Sequence, residues 1–92
     1  MRVQWSEPAL SDLHNISTYL EAASSLPTAN RITRAIYESV QSLKVLPNRG
    51  RPGRLSDTRE LLIPKLPYIV VYRVLPDSVS IARILHGAQQ WP

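Results

Sequence analysis

The stretch Pro67–His86, PYIVVYRVLPDSVSIARILH, decides the fold. Two β-branched and aromatic runs flank Pro76-Asp77, the pattern of a strand, a two-residue turn and a second strand. In the first run Tyr68, Val70, Tyr72 and Val74 alternate with Ile69, Val71, Arg73 and Leu75, so neighbouring side chains point to opposite faces of a sheet. With Pro76-Asp77 as the turn, Leu75 stands opposite Ser78 and the pairing runs back to Ile69 opposite Ile84. This register predicts a core face of Tyr68, Val70, Tyr72, Val79, Ile81 and Leu85. The outer face then holds Ile69, Val71, Arg73, Ala82, Ile84 and His86. An arginine and a histidine on an otherwise apolar floor make that outer face the place to look for function. Its exposed apolar area also predicts self-association, a possible homodimer, or cover by a partner segment.

Outward from this hairpin, Arg59 to Pro64 (RELLIP) reads as a further strand, joined to it through Pro64 and Pro67. Pro47 to Thr58 (PNRGRPGRLSDT) has the prolines and glycines of a loop. Before it, Ala29, Ile32, Ile36, Val40 and Leu43 recur at spacings of three and four, a helix opened by Pro27 and ended by Pro47. An earlier helix from Pro8 to about Ala23 carries the stripe Leu10, Leu13, Ile16 and Leu20, with Ser6 as its N-cap. Arg2 to Trp5 alternates as a short first strand. The order is β-α-α-β-β-β: an α+β fold in which a helical hairpin packs on one face of a small, mainly antiparallel sheet. One domain is expected over residues 1–92.

Composition limits the chemistry. There is no cysteine and there are two histidines, which excludes disulfide and thiolate chemistry and leaves little from which to build a metal site. No cofactor is expected. No Ser-His-Asp set and no phosphate-cradling glycine loop is present. No apolar run reaches spanning length and MRVQWSEP lacks the apolar region of a signal peptide, so a cytoplasmic location without membrane contact is expected. The net charge of +4 is uneven. Residues 1–43 set three basic side chains against four acids, net −1, whereas residues 44–92 set eight against three, net +5. The excess begins at Lys44, Arg49, Arg51, Arg54 and Arg59. This asymmetry raises the odds of an acidic partner, nucleic acid or an acidic protein segment, while the net charge taken alone reads first as a solvated loop whose arginines keep the protein soluble.

The β-α-α-β-β-β order, the GRPGR loop running into TREL, the PYIVVYRV strand and the ILHGAQQWP ending together resemble the RelE/ParE superfamily of toxins from type II toxin–antitoxin systems. The likeness covers nearly the whole chain. It implies growth inhibition, plasmid stabilisation and a cognate antitoxin that wraps the toxin. Operator DNA would be contacted only through that antitoxin. Two activities occur in the superfamily. RelE-like members cut mRNA on the ribosome, and ParE-like members inhibit DNA gyrase.

Cleavage by attack of a 2′-hydroxyl needs a base, an acid, and cations for the phosphorane charge. RelE-like nucleases resemble one another in placing an arginine directly after the residue that opens the third strand; the matching position here is Ile69. Under the nuclease alternative the catalytic residues are His86, a side chain type suited to proton transfer, and Arg73, four residues beyond Ile69 on the same face. Arg49, Arg51, Arg54, Arg59, Ile69 and Trp91 are the candidate contacts to a partner or nucleic acid. Each has a plainer reading. Arg73 pairs with Glu60 or with the antitoxin, Arg59 forms an ion pair that fixes the loop to the sheet, Arg83 snorkels to the sheet edge or pairs with a helix carboxylate, and His86 bonds to backbone. The missing arginine at Ile69 and the ILHGAQQWP ending favour the ParE-like branch.

Overall fold

The computed structural model describes residues 1–87 and 89–92. Its elements are β1 (Arg2–Trp5), α1 (Glu7–Ala23), α2 (Leu26–Ser42), β2 (Arg51–Pro52), β3 (Arg59–Leu62), β4 (Tyr68–Val74) and β5 (Ser78–His86). The expected α+β order is present with one addition, the two-residue β2, which lies inside the segment read as loop. It pairs Arg51 with Glu60 and Pro52 with Arg59. The sheet order is β1-β5-β4-β3-β2, antiparallel except where β1 runs parallel to β5.

Serines start both helices. Ser6 Oγ accepts the amide proton of Ala9 at 3.1 Å and donates to the Ala82 carbonyl at 2.9 Å, so one side chain caps α1 and ties it to β5. Ser25 Oγ accepts from the Thr28 amide at 3.2 Å and caps α2, with Pro27 in the first turn. Along α2 the stripe Ala29, Ile32, Ile36 and Val40, continued by Leu43, is buried as its spacing requires. The α1 stripe is shallower. Only Ala9 is buried, Leu13, Ile16 and Leu20 are half-buried, and Leu10 is exposed.

Within the β4–β5 hairpin the turn is as predicted: the Leu75 amide donates to the Ser78 carbonyl at 2.8 Å. Val74, Arg73 and Tyr72 face Val79, Ser80 and Ile81 in the expected register. A β-bulge then intervenes, with Ala82 the extra residue, and Val71, Val70, Ile69 and Tyr68 face Arg83, Ile84, Leu85 and His86. Every residue of β5 beyond the bulge therefore changes face. Ile84 joins the core cluster with Val70, Tyr72, Val79 and Ile81, while Arg83 and Leu85 move to the outer face beside Val71 and Ile69. His86 joins Tyr68 on the helix side, not Arg73 on the outer side as the uniform register required.

The bulge has a physical cause at the sheet edge. β1 accompanies β5 only to Ile81, and α1 takes over alongside the rest of the strand. There Asp12 accepts the backbone N–H of Ile84 at 2.9 Å, standing in for a strand partner.

Candidate functional site

On the outer face the register sets Arg51, Glu60, Val71 and Arg83 in one row across four strands, and Leu62, Ile69 and Leu85 in the next. Glu60 is the hub. Its carboxylate is 1% exposed and accepts from Arg51 Nη2 at 3.1 Å, Arg54 Nε at 3.2 Å and the Arg54 amide at 3.0 Å. Burial pushes the Glu60 carboxyl upward, but the amide and the two guanidiniums outweigh it and hold the group below the usual carboxylate range.

The loop that delivers Arg54 is shaped by local bonds. Gly53 N–H donates to Thr58 O at 2.8 Å, and Thr58 Oγ1 donates to Leu55 O at 2.6 Å. A Cβ on Gly53 would lie 2.2 Å from that hydroxyl, so the turn closes only on glycine. Upstream, Tyr72 Oη donates to Pro47 O at 2.7 Å and accepts from the Gly50 amide at 2.8 Å, which fixes where the loop leaves the sheet. Burial raises the Tyr72 hydroxyl pKa, so it stays a neutral donor and acceptor.

At the opposite end of the Glu60 row, Arg83 reaches round the edge of β5 and meets Asp12 in a bidentate pair at 2.6 and 2.9 Å. Beyond β5, Trp91 reaches the arginines of this face. Gly87 N–H donates to Pro67 O at 2.5 Å, and the Gln89 amide donates to His86 O at 2.9 Å. Trp91 lies with its ring 5.5 Å from the Arg83 guanidinium, while its carbonyl accepts from Arg54 Nη1 at 3.3 Å. Ile69, Val71 and Leu85, which the hairpin register directs away from the helices, are buried. The open apolar floor expected at Ile69, Val71 and Ile84 is therefore absent, and with it the basis for self-association through that floor.

The candidates from sequence do not converge. His86 is on the helix side at the end of β5, edge-on to Tyr68 with ring centroids 5.7 Å apart. Arg73 is exposed on the outer side, opposite Ser80, and makes no hydrogen bond or ion pair among the described residues. Tyr68, the strand partner of His86, lies five residues from Arg73, about 16 Å along β4 at ~3.3 Å per residue. Glu60 pairs with Arg51 and Arg54 and not with Arg73. Arg59 donates to the carbonyls of Gly50 at 2.7 Å and Asn48 at 3.3 Å, so it fixes the loop through backbone and not through an acid. Arg49 donates to Ser42 Oγ at 2.7 Å. Of the partner candidates, only Arg51, Arg54 and Trp91, together with the buried Ile69, share the outer face. Among the described residues no group of three His, Cys, Asp or Glu side chains is placed to hold a metal ion, and no helix is long and apolar enough to cross a membrane.

Two residues of the site went unassigned in the sequence: Glu60 as a two-arginine hub and Asp12 as a surrogate strand partner. A sign of the second was present. Ile81 and Ile84 are spaced by three where a regular strand keeps two, the mark of an inserted residue.

Residues 3–91 match the family described as ParE toxin of type II toxin-antitoxin system, parDE. A putative toxin, Y4kP of Sinorhizobium fredii, is 40% identical over 91 residues, 99% of this chain and 93% of that one. Toxin RelE1 of Caulobacter vibrioides is 38% identical over 64 residues, 67% of this chain and 68% of that one. Among solved structures, a chain of the chromosomal ParDE system of P. aeruginosa superposes with a TM-score of 0.88 at 26% identity, covering 94% of this chain and 95% of that one. A chain of the RelBE2 toxin–antitoxin complex of Mycobacterium tuberculosis shares the fold, with a TM-score of 0.67 at 24% identity over 92% and 95% of the two chains.

Proposed function

Because this chain belongs to the ParE toxins of type II toxin–antitoxin systems, we propose that it arrests growth by binding DNA gyrase, without catalysis of its own, until a cognate antitoxin neutralises it. The observation that carries this reading is the separation of His86 from Arg73 on opposite faces of the sheet. A phosphoryl-transfer site needs its acid, base and cation within hydrogen-bond reach of one phosphate. The other arginines near the outer face are already engaged, Arg51 and Arg54 by Glu60 and Arg83 by Asp12. Ile69 supplies no charge where a nuclease of this fold would set an arginine. The partner of antitoxin type is supported by the two related structures, which come from a ParDE system and a RelBE complex.

The likeness to a toxin named RelE1 favours a second reading, cleavage of mRNA on the ribosome. One experiment separates the two. Expressed toxin is scored in parallel for gyrase-dependent DNA breaks with an SOS response, and for mapped cuts in translated mRNA. Breaks without cuts are expected. His86→Ala and Arg73→Ala are expected to leave growth arrest within about threefold of wild type. A nuclease using either group in proton transfer or charge stabilisation would lose roughly 10²–10⁴-fold. Such a loss in a folded variant would overturn the gyrase reading.

A further inference from the structure

Trp91 is a poor match for its seat on the outer face. Residues 87–92, GAQQWP, carry no charged side chain, yet Trp91 sits between Arg54 and Arg83. It offers the first a neutral carbonyl and the second an indole face. Both guanidiniums keep solvent-facing area after their ion pairs, as does Arg51: the side chains are 41%, 32% and 53% exposed. Arg73 adds a charge, unpaired among the described residues, on the same face. Among the described residues the only carboxylate in the strand rows of this face is Glu60, already buried. Among the described residues the indole N–H of Trp91 is itself buried without an acceptor, a cost that a better-fitting occupant would not bear.

We propose that Trp91 and its neighbours form a displaceable strap, and that the seat beneath is the docking site for an acidic protein segment carrying a bulky aliphatic side chain. The aliphatic group takes the place of the indole beside Arg83, on the face to which the register directs Ile69, Val71 and Leu85. Flanking carboxylates take the free donors of Arg54 and Arg83 in place of a carbonyl and a π face. A protein segment fits better than a nucleic acid. The floor is aliphatic, and among the described residues the strand rows of this face hold no aromatic ring on which a base could stack. Displacement would free the indole and the Arg54 bond together, so strap and partner compete for one site. The proposal concerns binding by the isolated toxin and stands whichever macromolecule the toxin arrests.

The test uses the full chain with Trp5→Phe, which leaves Trp91 the only indole. The probe is the acetylated, amidated peptide EDLDE, followed by Trp91 emission, acrylamide quenching and calorimetry. Expected are a saturable red shift with increased quenching, and an affinity at least about tenfold weaker in Arg54→Gln. Weakening on added salt is also expected. Arg31→Gln, exposed on α2, is the control and is expected to bind as the parent does. Binding by calorimetry without a change at Trp91, or no binding at all, would overturn the proposal. So would equal weakening by Arg31→Gln. An oligothymidylate of matched charge that displaces the indole at lower concentration would transfer the site to nucleic acid. Each of these outcomes leaves the gyrase reading untouched, because none involves the target.

Discussion

Glu60 illustrates how one side chain sets the character of a face. Alone, a buried carboxylate is costly, and two half-exposed arginines and an amide offset that cost. Glu60→Gln keeps the shape and removes the charge. It is expected to lower unfolding stability by about 1–3 kcal/mol, the range for a hydrogen-bonded charge whose partners are partly screened by water. The pH dependence has a definite sign. A carboxyl held below its ordinary value of about 4.5 binds its proton more readily in the unfolded chain, so its stabilisation is full above that value. It fades as pH falls through the lowered folded value. Urea midpoints measured from neutral pH downward should converge for wild type and Glu60→Gln below pH 4.5, and stay parallel above it. In the sequence Glu60 was visible as an acid among arginines, but which arginine it meets was not. Arg73 and Glu60 both point to the outer side, yet Glu60 stands opposite Val71 and not opposite Arg73.

At the scale of elements, both helices, the first strand and the two-residue turn followed from apolar spacing and serine or proline punctuation. β2 did not, because two residues carry no alternation. The bulge escaped for a related reason. A uniform period of two was extended through β5, although the pattern Val79, Ile81, Ile84 departs from it. The cause lies outside the strand, in the Asp12 carboxylate that bonds Ile84 and Arg83 from α1. Deletions in β5 should reveal this. Removing Ala82 leaves Val71 opposite Arg83 and Ile84 in the core, so a folded protein is expected. It should be weakened by about 1–3 kcal/mol through the lost Ser6 bond. Removing Ser80 drives Ile81 out of the core and is expected to abolish a cooperative urea transition.

For the molecule as a whole, the paired helices over one side of a small sheet were readable from element order, and the covering of the other side was not. The segment after His86 has no periodicity. Its contacts with Arg54 and Arg83 depend on a loop and an edge that come together only once the sheet is complete. Buried as they are, Ile69, Val71 and Leu85 offer little surface for association. Wild-type toxin is therefore expected to scatter light as a monomer over a wide concentration range. Trp91→Ala, by removing the ring beside Arg83, is expected to expose apolar area on the outer face, to bind hydrophobic dyes and to grow in apparent mass with concentration.

The parallel seam between β1 and β5 binds the second residue of the chain to the seventy-eighth. While the protein is being made, β1 has no strand to pair with until residues 78–81 have emerged. A chain built in this order is expected to lack a joined sheet edge, and with it the β5 end of the outer face, until β5 itself has been synthesised.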